Sequence, residues 1–335
     1  MKRIYILLFC VVQLSCSTSE DDKLRFLKKG NVAFQNNNTA DALRYYDEAL
    51  KIDSAYIDAY YNSGLVMASM DKYDEAIGLY SKAIDIAPEF TPALFARATS
   101  HYLVKQDFAA LNDIKILRTY WQDSAKVDFL EGLVYTQQER YLNALESFRA
   151  AQLLSPENQE ITVNLGNTLY ELGQFDEAKE ILSQRFIIDH EQAVAYNTRG
   201  LIALAEGFPA RANFFLDSAL TLAPAEAYFL NNKGQVLYEL NLLQEAETFY
   251  DRSMKLDPYN PWVYYNKGRL QMAMGNNTHA LRLLDRANNL RSDPEIKLAL
   301  IMVYQALGET EMACETIRDL SKEAIADLAI EYNCD

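Results

Sequence analysis

The sequence predicts an all-α chain built from one helix-turn-helix unit repeated eight times. Three observations carry this. Glycine recurs every 34 residues, at Gly30, Gly64, Gly132, Gly166, Gly200, Gly234 and Gly268, and Ala98 fills the one gap of 68. An alanine stands twelve residues after each of these: Ala42, Ala76, Ala110, Ala144, Ala178, Ala212, Ala246 and Ala280. A proline or serine follows twelve further on in six units, at Ser54, Pro88, Pro156, Pro224, Pro258 and Ser292. No insertion breaks the period, so the units fall at 23–56, 57–90, 91–124, 125–158, 159–192, 193–226, 227–260 and 261–294.

Each unit reads as two helices. Apolar residues recur at three and four spacing, a turn centres on Asp, Gly or Asn near the middle, and a proline stops the second helix. The stretch YNSGLVMASMDKYDEAIGLYSKAIDIAP (61–88) shows the whole pattern. A glycine inside a helix costs up to about 1 kcal/mol against alanine, so it is kept where a neighbouring helix comes too close for a side chain. Period, glycine, alanine and proline together resemble the tetratricopeptide repeat. The resemblance implies a right-handed superhelix of helix pairs (an α-solenoid) whose first helices line a concave groove. It also implies that the groove takes proteins or peptides.

The groove positions implied by that family hold Tyr61, Phe95, Tyr102, Phe129, Tyr170, Tyr228, Tyr238, Trp262 and Tyr265, with the amides Asn31, Asn167, Asn197, Asn231 and Gln235. Rings and amides suit an extended peptide, offering contact area and backbone hydrogen bonds; the competing reading is that half of the rings pack against the next helix. The chaperone-binding members grip a terminal carboxylate with paired lysines and asparagines. The matching slots here hold Leu27, Asn31, Asn62, Pro92 and Ala96, so that clamp lacks its cations. Lys126 and Arg269 are the only strong cations expected in the groove.

Ahead of the units, Lys2 and Arg3 precede an apolar run, Ile4 to Leu14, and then Ser15 and Cys16. A charged start, a short apolar middle and a small residue is the layout of a secretory signal. Eleven residues rise about 16 Å as a helix, too short for a permanent span. Cys16 directly after Ser15 resembles the lipobox of bacterial lipoproteins, in which residues 1–15 are removed and the cysteine is acylated. The aliphatic residue usual three places before the cysteine is Gln13 here. The plainer alternative is an ordinary cleaved signal. Residues 16–22 are then a short acidic tether. Ser19 to Asp22 reads both as a helix N-cap with acids in the first turn and as similar to the export signal of surface-exposed lipoproteins in Bacteroidetes-type bacteria.

The formal charge is −15 over 335 residues, and losing Lys2 and Arg3 makes it more negative. That opposes nucleic acid, whose phosphates need a basic face, and electrostatic attachment to anionic lipid, so contact with a membrane is expected only through the lipid anchor. Seven of the 12 glycines hold repeat slots, which leaves no glycine-rich phosphate loop. His101, His190 and His279 lie in different units with no ligand at metal spacing, and no serine sits in a nucleophile elbow. No enzyme activity, cofactor, metal or small-molecule substrate is expected.

The third unit is irregular. Thr119-Tyr120-Trp121-Gln122 replaces the terminating turn, with Tyr120 and Trp121 either an exposed anchor or a local core. Residues 295–335 form a cap, with 295–318 as a degenerate ninth helix pair and 321–332 as a final helix, because the end of a repeat array must hide its last apolar face. With Cys10 removed and Cys16 acylated, Cys314 and Cys334 remain as an even pair in an oxidising compartment. They are read as a disulfide, with two free thiols as the alternative. The expected whole is an outer-membrane lipoprotein of a Gram-negative cell envelope, periplasmic-facing or surface-exposed. It would be a non-catalytic scaffold docking protein or peptide partners in envelope assembly or secretion. A soluble intracellular adaptor of the co-chaperone type is the first competitor, and an envelope enzyme the second.

Overall fold

The computed structural model describes residues 4–183, 189–320 and 334. Every regular element among them is a helix. The chain divides into two compact units at Ile161/Thr162.

The first unit holds α1 (Ile4–Gln35), α2 (Thr39–Ile52), α3 (Ile57–Ser69), α4 (Tyr73–Ile86), α5 (Thr91–Leu103), α6 (Asp107–Tyr120), α7 (Ala125–Gln137) and α8 (Tyr141–Leu154). The second begins with α9 (Gln159–Glu171), which opens three residues before the division. It continues through α10 (Phe175–Ile181), α11 (Asp189–Ala205), α12 (Pro209–Leu222), α13 (Ala227–Glu239), α14 (Leu243–Leu256), α15 (Pro261–Ala273), α16 (Asn277–Leu290), α17 (Pro294–Leu307) and α18 (Thr310–Arg318). Odd-numbered helices are the first of each pair, even-numbered the second.

The glycine slot explains how tightly each pair closes. A Cβ on Gly132 would lie 2.5 Å from the ring of Phe148, and one on Gly268 would lie 2.7 Å from Leu284. Gly30, Gly64 and Gly234 face the rings of Tyr46, Tyr80 and Tyr250 in the same way, and Gly166 and Gly200 face Leu182 and Leu216. In the third pair Ala98 holds this slot and shares a buried cluster with Ile114, 16 residues on, where the other pairs carry Tyr, Phe or Leu. All eight alanines of the second helices are fully buried.

The turn inside each pair closes the first helix with one residue in the left-handed region. Gly173, Gly207, Gly275 and Gly308 take it, and so do Asn37, Asp71, Lys105, Glu139 and Asn241. The N–H groups there bond back to the helix, as in Asp71 to the Ala68 carbonyl and Lys72 to the Met67 carbonyl, both 3.0 Å. This satisfies carbonyls that a helix end leaves free.

Three differences from the sequence reading stand out. First, α1 runs without a break from Ile4 to Gln35, so no helix starts at Ser19 and residues 16–22 are helical. No helix breaker separates the apolar run from the first unit. Cys16 lies within α1, and its side chain is outside the described residues. Second, α10 is 7 residues long against 14 for the second helices of the other seven repeats, and α11 begins at Asp189, before the expected boundary at 193. His190 stands where other units carry a stopping proline. Third, Trp121 packs against Phe95 at 6.4 Å, whereas its neighbour Tyr120 is 48% exposed. The two residues therefore divide between core and surface. At the C-terminal end α17 and α18 form a ninth pair, and Cys314 of α18 is disulfide-bonded to Cys334, with Cα atoms 5.5 Å apart. The helix expected at 321–332 lies outside the described residues.

Candidate functional site

In the first unit the expected groove rings are packed. Tyr61 lies between Tyr80 at 6.0 Å and Phe90 at 5.4 Å. Phe129 rests on the buried Phe148 at 5.6 Å. Phe95 meets Trp121, and Tyr102 is half-buried in the same cluster. Burial raises the hydroxyl pKa of both Tyr61 and Tyr102. These four half-buried rings pack between first and second helices, the arrangement of the competing reading in which half of the rings meet a neighbouring helix.

The amides are also otherwise engaged. Asn197 is 1% exposed and accepts from Asn232 Nδ2 at 2.9 Å. Asn231 is 4% exposed and accepts from Asn266 Nδ2 at 3.1 Å. Asn167 accepts from the Thr198 hydroxyl. In the first unit Asn31 accepts from Tyr46 Oη and from Asn62. First helices of neighbouring pairs approach closely enough for short amides to meet, and a buried amide left unpaired would cost about 1–3 kcal/mol. The carboxamide oxygens of these residues therefore tie neighbouring helices together, while Gln235, the fifth expected amide, lines a cleft.

A cleft of about 680 Å³ lies between α13, α15 and α17 of the second unit. Tyr238, Tyr265, Arg269, Met272, Glu295, Leu298 and Met302 line it. The Arg269 guanidinium lies over both tyrosine rings, 5.5 Å from Tyr238 and 5.6 Å from Tyr265, a cation–π arrangement that holds its direction. Tyr265 meets Trp262 edge-on at 5.7 Å, and Arg291 lies over the other ring of that pair. Burial pushes the Tyr265 hydroxyl pKa up, with the Arg269 charge opposing. Met302 is half exposed at the mouth.

A second cleft, about 490 Å³, lies where α9, α11 and α13 meet, lined by Tyr170, Leu201, Leu204, Gln235 and Glu239 among others. Tyr228 presents its ring, 46% exposed, while its hydroxyl end is buried at Asn232 and Asn197. Burial raises that pKa, and the two amides oppose the rise.

Sequence reasoning missed a set of buried cations. Lys233 pairs with Asp217, and Lys267 with Asp251. Arg97 pairs bidentately with Asp113, Nε to Oδ2 at 2.8 Å and Nη2 to Oδ1 at 2.7 Å. Arg97 joins its first helix to the second helix of its own pair, 16 residues on, whereas Lys233 and Lys267 reach back 16 residues to the second helix of the preceding pair. The signal was present as opposite charges at two fixed positions of the repeat. Among the described residues no group of three His, Cys, Asp or Glu side chains is placed to hold a metal ion. His101 hydrogen-bonds Gln106.

Family models described as "Tetratricopeptide repeat" match residues 27–89, 135–199 and 197–261, more than half of the chain. The chain belongs to the tetratricopeptide repeat proteins. Among curated tetratricopeptide relatives, the mitochondrial import receptor subunit TOM70 of Mus musculus is 24% identical over 208 residues, 60% of this chain and 34% of the receptor. Stress-induced-phosphoprotein 1 of Caenorhabditis elegans is 23% identical over 172 residues, 51% of this chain and 53% of that protein. The chain thus spans between a third and about half of the length of these relatives. Of solved structures, one from the APC/C hetero-tetramer Cut9-Hcn1 matches with a TM-score of 0.63 at 16% identity, over 91% of this chain and 73% of that one. The all-α tetratricopeptide fold is therefore shared across nearly the whole chain, and tetratricopeptide repeats in general serve as protein-interaction scaffolds.

Proposed function

We propose that this tetratricopeptide protein is a non-catalytic scaffold. It docks an extended protein segment in the cleft of α13, α15 and α17, and acyl chains on Cys16 tie it to a cell-envelope membrane of a Gram-negative bacterium. The observation that carries the docking half is the cleft itself. Three first helices bring two half-buried rings, two methionines, a leucine and a guanidinium around one open cleft, with Met302 51% exposed at its mouth. Aromatic, methionine and arginine side chains are the types enriched in buried interface centres. The kinship with an import receptor subunit supports a protein as the thing received.

The anchor half rests on the Ser15–Cys16 seam after an apolar run. Among the described residues no helix is long and apolar enough to cross a membrane. Two or more acyl chains would give stable attachment where one is marginal. The outer membrane, and partners in envelope assembly or secretion, complete the reading.

Affinity capture from crosslinked cell envelopes tests the first half. Tyr265→Ala and Met302→Asp are expected to lose the partners recovered by the wild type while keeping full helical circular dichroism, with about 2 kcal/mol or more lost at a true anchor. Folded variants that recover the same partners in the same yield would overturn the docking site. Metabolic labelling with a radioactive fatty acid tests the second half: the wild type takes up label and Cys16→Ala does not. Equal uptake in both would remove the anchor.

A further inference from the structure

We infer that Arg269 makes the cleft of α13, α15 and α17 selective for a carboxylate, so that the docked segment carries a single carboxylate beside a large apolar side chain. This rests on the docking reading above and names the chemistry of what that cleft accepts.

The starting point is a contrast between cations. Arg97, Lys233 and Lys267, also on first helices, each meet an aspartate of an adjacent second helix, the following one for Arg97 and the preceding one for the two lysines. Arg269 meets none. Among the described residues no carboxylate lies within ion-pair distance of it, although Glu295 lines the same cleft. It contacts the faces of Tyr238 and Tyr265, at 5.5 and 5.6 Å, and the Tyr265 hydroxyl. Two rings hold the planar group and limit the entropy it would lose on binding, and of its five N–H donors those not directed at the Tyr265 hydroxyl can meet a guest. A guanidinium of this kind matches a carboxylate with two parallel charge-assisted hydrogen bonds, which a neutral amide cannot reproduce.

The surroundings specify the rest of the segment. Met272, Leu298 and Met302 lie in the same cleft. Methionine side chains adapt to irregular apolar guests, so a leucine-, phenylalanine- or methionine-sized side chain next to the carboxylate has a place to go. Glu295 at the rim disfavours a second carboxylate, and the chain-wide charge of −15 disfavours a strongly acidic partner at long range. The charge pattern therefore fits one carboxylate in an otherwise neutral or basic segment. This site is built from residues other than those of the lysine–asparagine clamp, whose positions here hold Leu27, Asn31, Asn62, Pro92 and Ala96.

A carboxylate comes from a chain end or from an acidic side chain, and the test separates the two. The probe is an array of synthetic ten-residue peptides carrying varied pairs of Leu, Phe and Met. One arm presents each pair next to a free C-terminus or its amide. The other presents it next to an internal Glu or Gln in C-amidated peptides. Binding of the full-length purified protein is read by fluorescence anisotropy. The wild type is expected to prefer the carboxylate member in at least one arm by about tenfold or more. Arg269→Gln should abolish that preference while keeping the weaker binding of the neutral peptides, and Arg269→Lys should restore part of it. Lysine and glutamine are both good helix formers, so α15 is preserved, and circular dichroism checks this. Leu298→Asp should weaken every peptide. Equal wild-type binding of both members in both arms overturns the carboxylate inference, as does a preference unchanged in Arg269→Gln. In either case loss of binding in Leu298→Asp leaves the docking reading standing. Binding by Leu298→Asp equal to the wild type overturns both.

Discussion

A Cβ built on Gly234 falls 2.5 Å from the ring of Tyr250, a side chain only 1% exposed. The ring has no free volume to retreat into, so the glycine marks the distance at which α13 and α14 close. Gly234→Ala should therefore destabilise the protein by about 1–3 kcal/mol, the usual cost of overpacking, in spite of alanine's better helix propensity. Gly78 provides the opposite case. It lies inside α4 with nothing within 4 Å of its added Cβ, and Gly78→Ala should stabilise by up to about 1 kcal/mol. Urea unfolding of both variants gives the signs, and a loss of stability in both would refute the steric account.

Arg97 and Asp113 form the best-connected pair in the first unit. Arg97 also donates from Nη1 to the Ser81 hydroxyl at 2.9 Å, and the Asp113 side chain is 3% exposed. Asp113→Ala leaves a mostly buried guanidinium without its anion, which costs about 3–5 kcal/mol in such settings. Replacing both residues with apolar ones of similar volume should restore much of the loss. Thermal melts of the single and double variants check this; a single variant within 1 kcal/mol of the wild type, a roughly estimated limit of surface effects, would show the pair to be dispensable.

Cys314 and Cys334 close a loop of 20 residues. In the chain-entropy model such a bridge is worth about 3 kcal/mol. Protein isolated without reductant should yield one linked peptide containing both cysteines in a non-reducing digest, and Cys334→Ser should melt at a lower temperature. Alkylation of both thiols in freshly isolated protein would contradict the bridge.

Burial pushes the Tyr46 and Tyr170 hydroxyls up to about 12 from an ordinary value of 10.0, and moves Tyr80 and Tyr250 in the same direction. Above pH 10 the unfolded chain loses these protons while the folded one keeps them. The contribution to stability is thus fully present below pH 10 and falls as the pH climbs towards 12. Urea midpoints at pH 9, 10, 11 and 11.5 should decline only over the last steps, in parallel with late tyrosinate absorbance. Tyrosines all titrating near pH 10 with the protein still folded would contradict it.

The repeat period, the helix pairs and the close glycine contacts were determined by the sequence alone. They depend on residues fixed distances apart on neighbouring turns, and a 34-residue recurrence of Gly, Ala and Pro records those distances directly. The sequence also carried the Lys267–Asp251 and Lys233–Asp217 ties, as opposite charges at constant repeat positions. The fate of the groove residues was decided by tertiary structure. Asn197, Asn231, Tyr61 and Phe129 occupy positions that the family pattern turns outward. Whether such a side chain stays free depends on what the next helix places opposite it, and Asn232, Asn266, Tyr80 and Phe148 were there to take it. The cleft at Arg269 has the same origin. It needs Tyr238, Met272 and Leu298 from three successive first helices at one depth, and no local pattern specifies how far apart those helices stand.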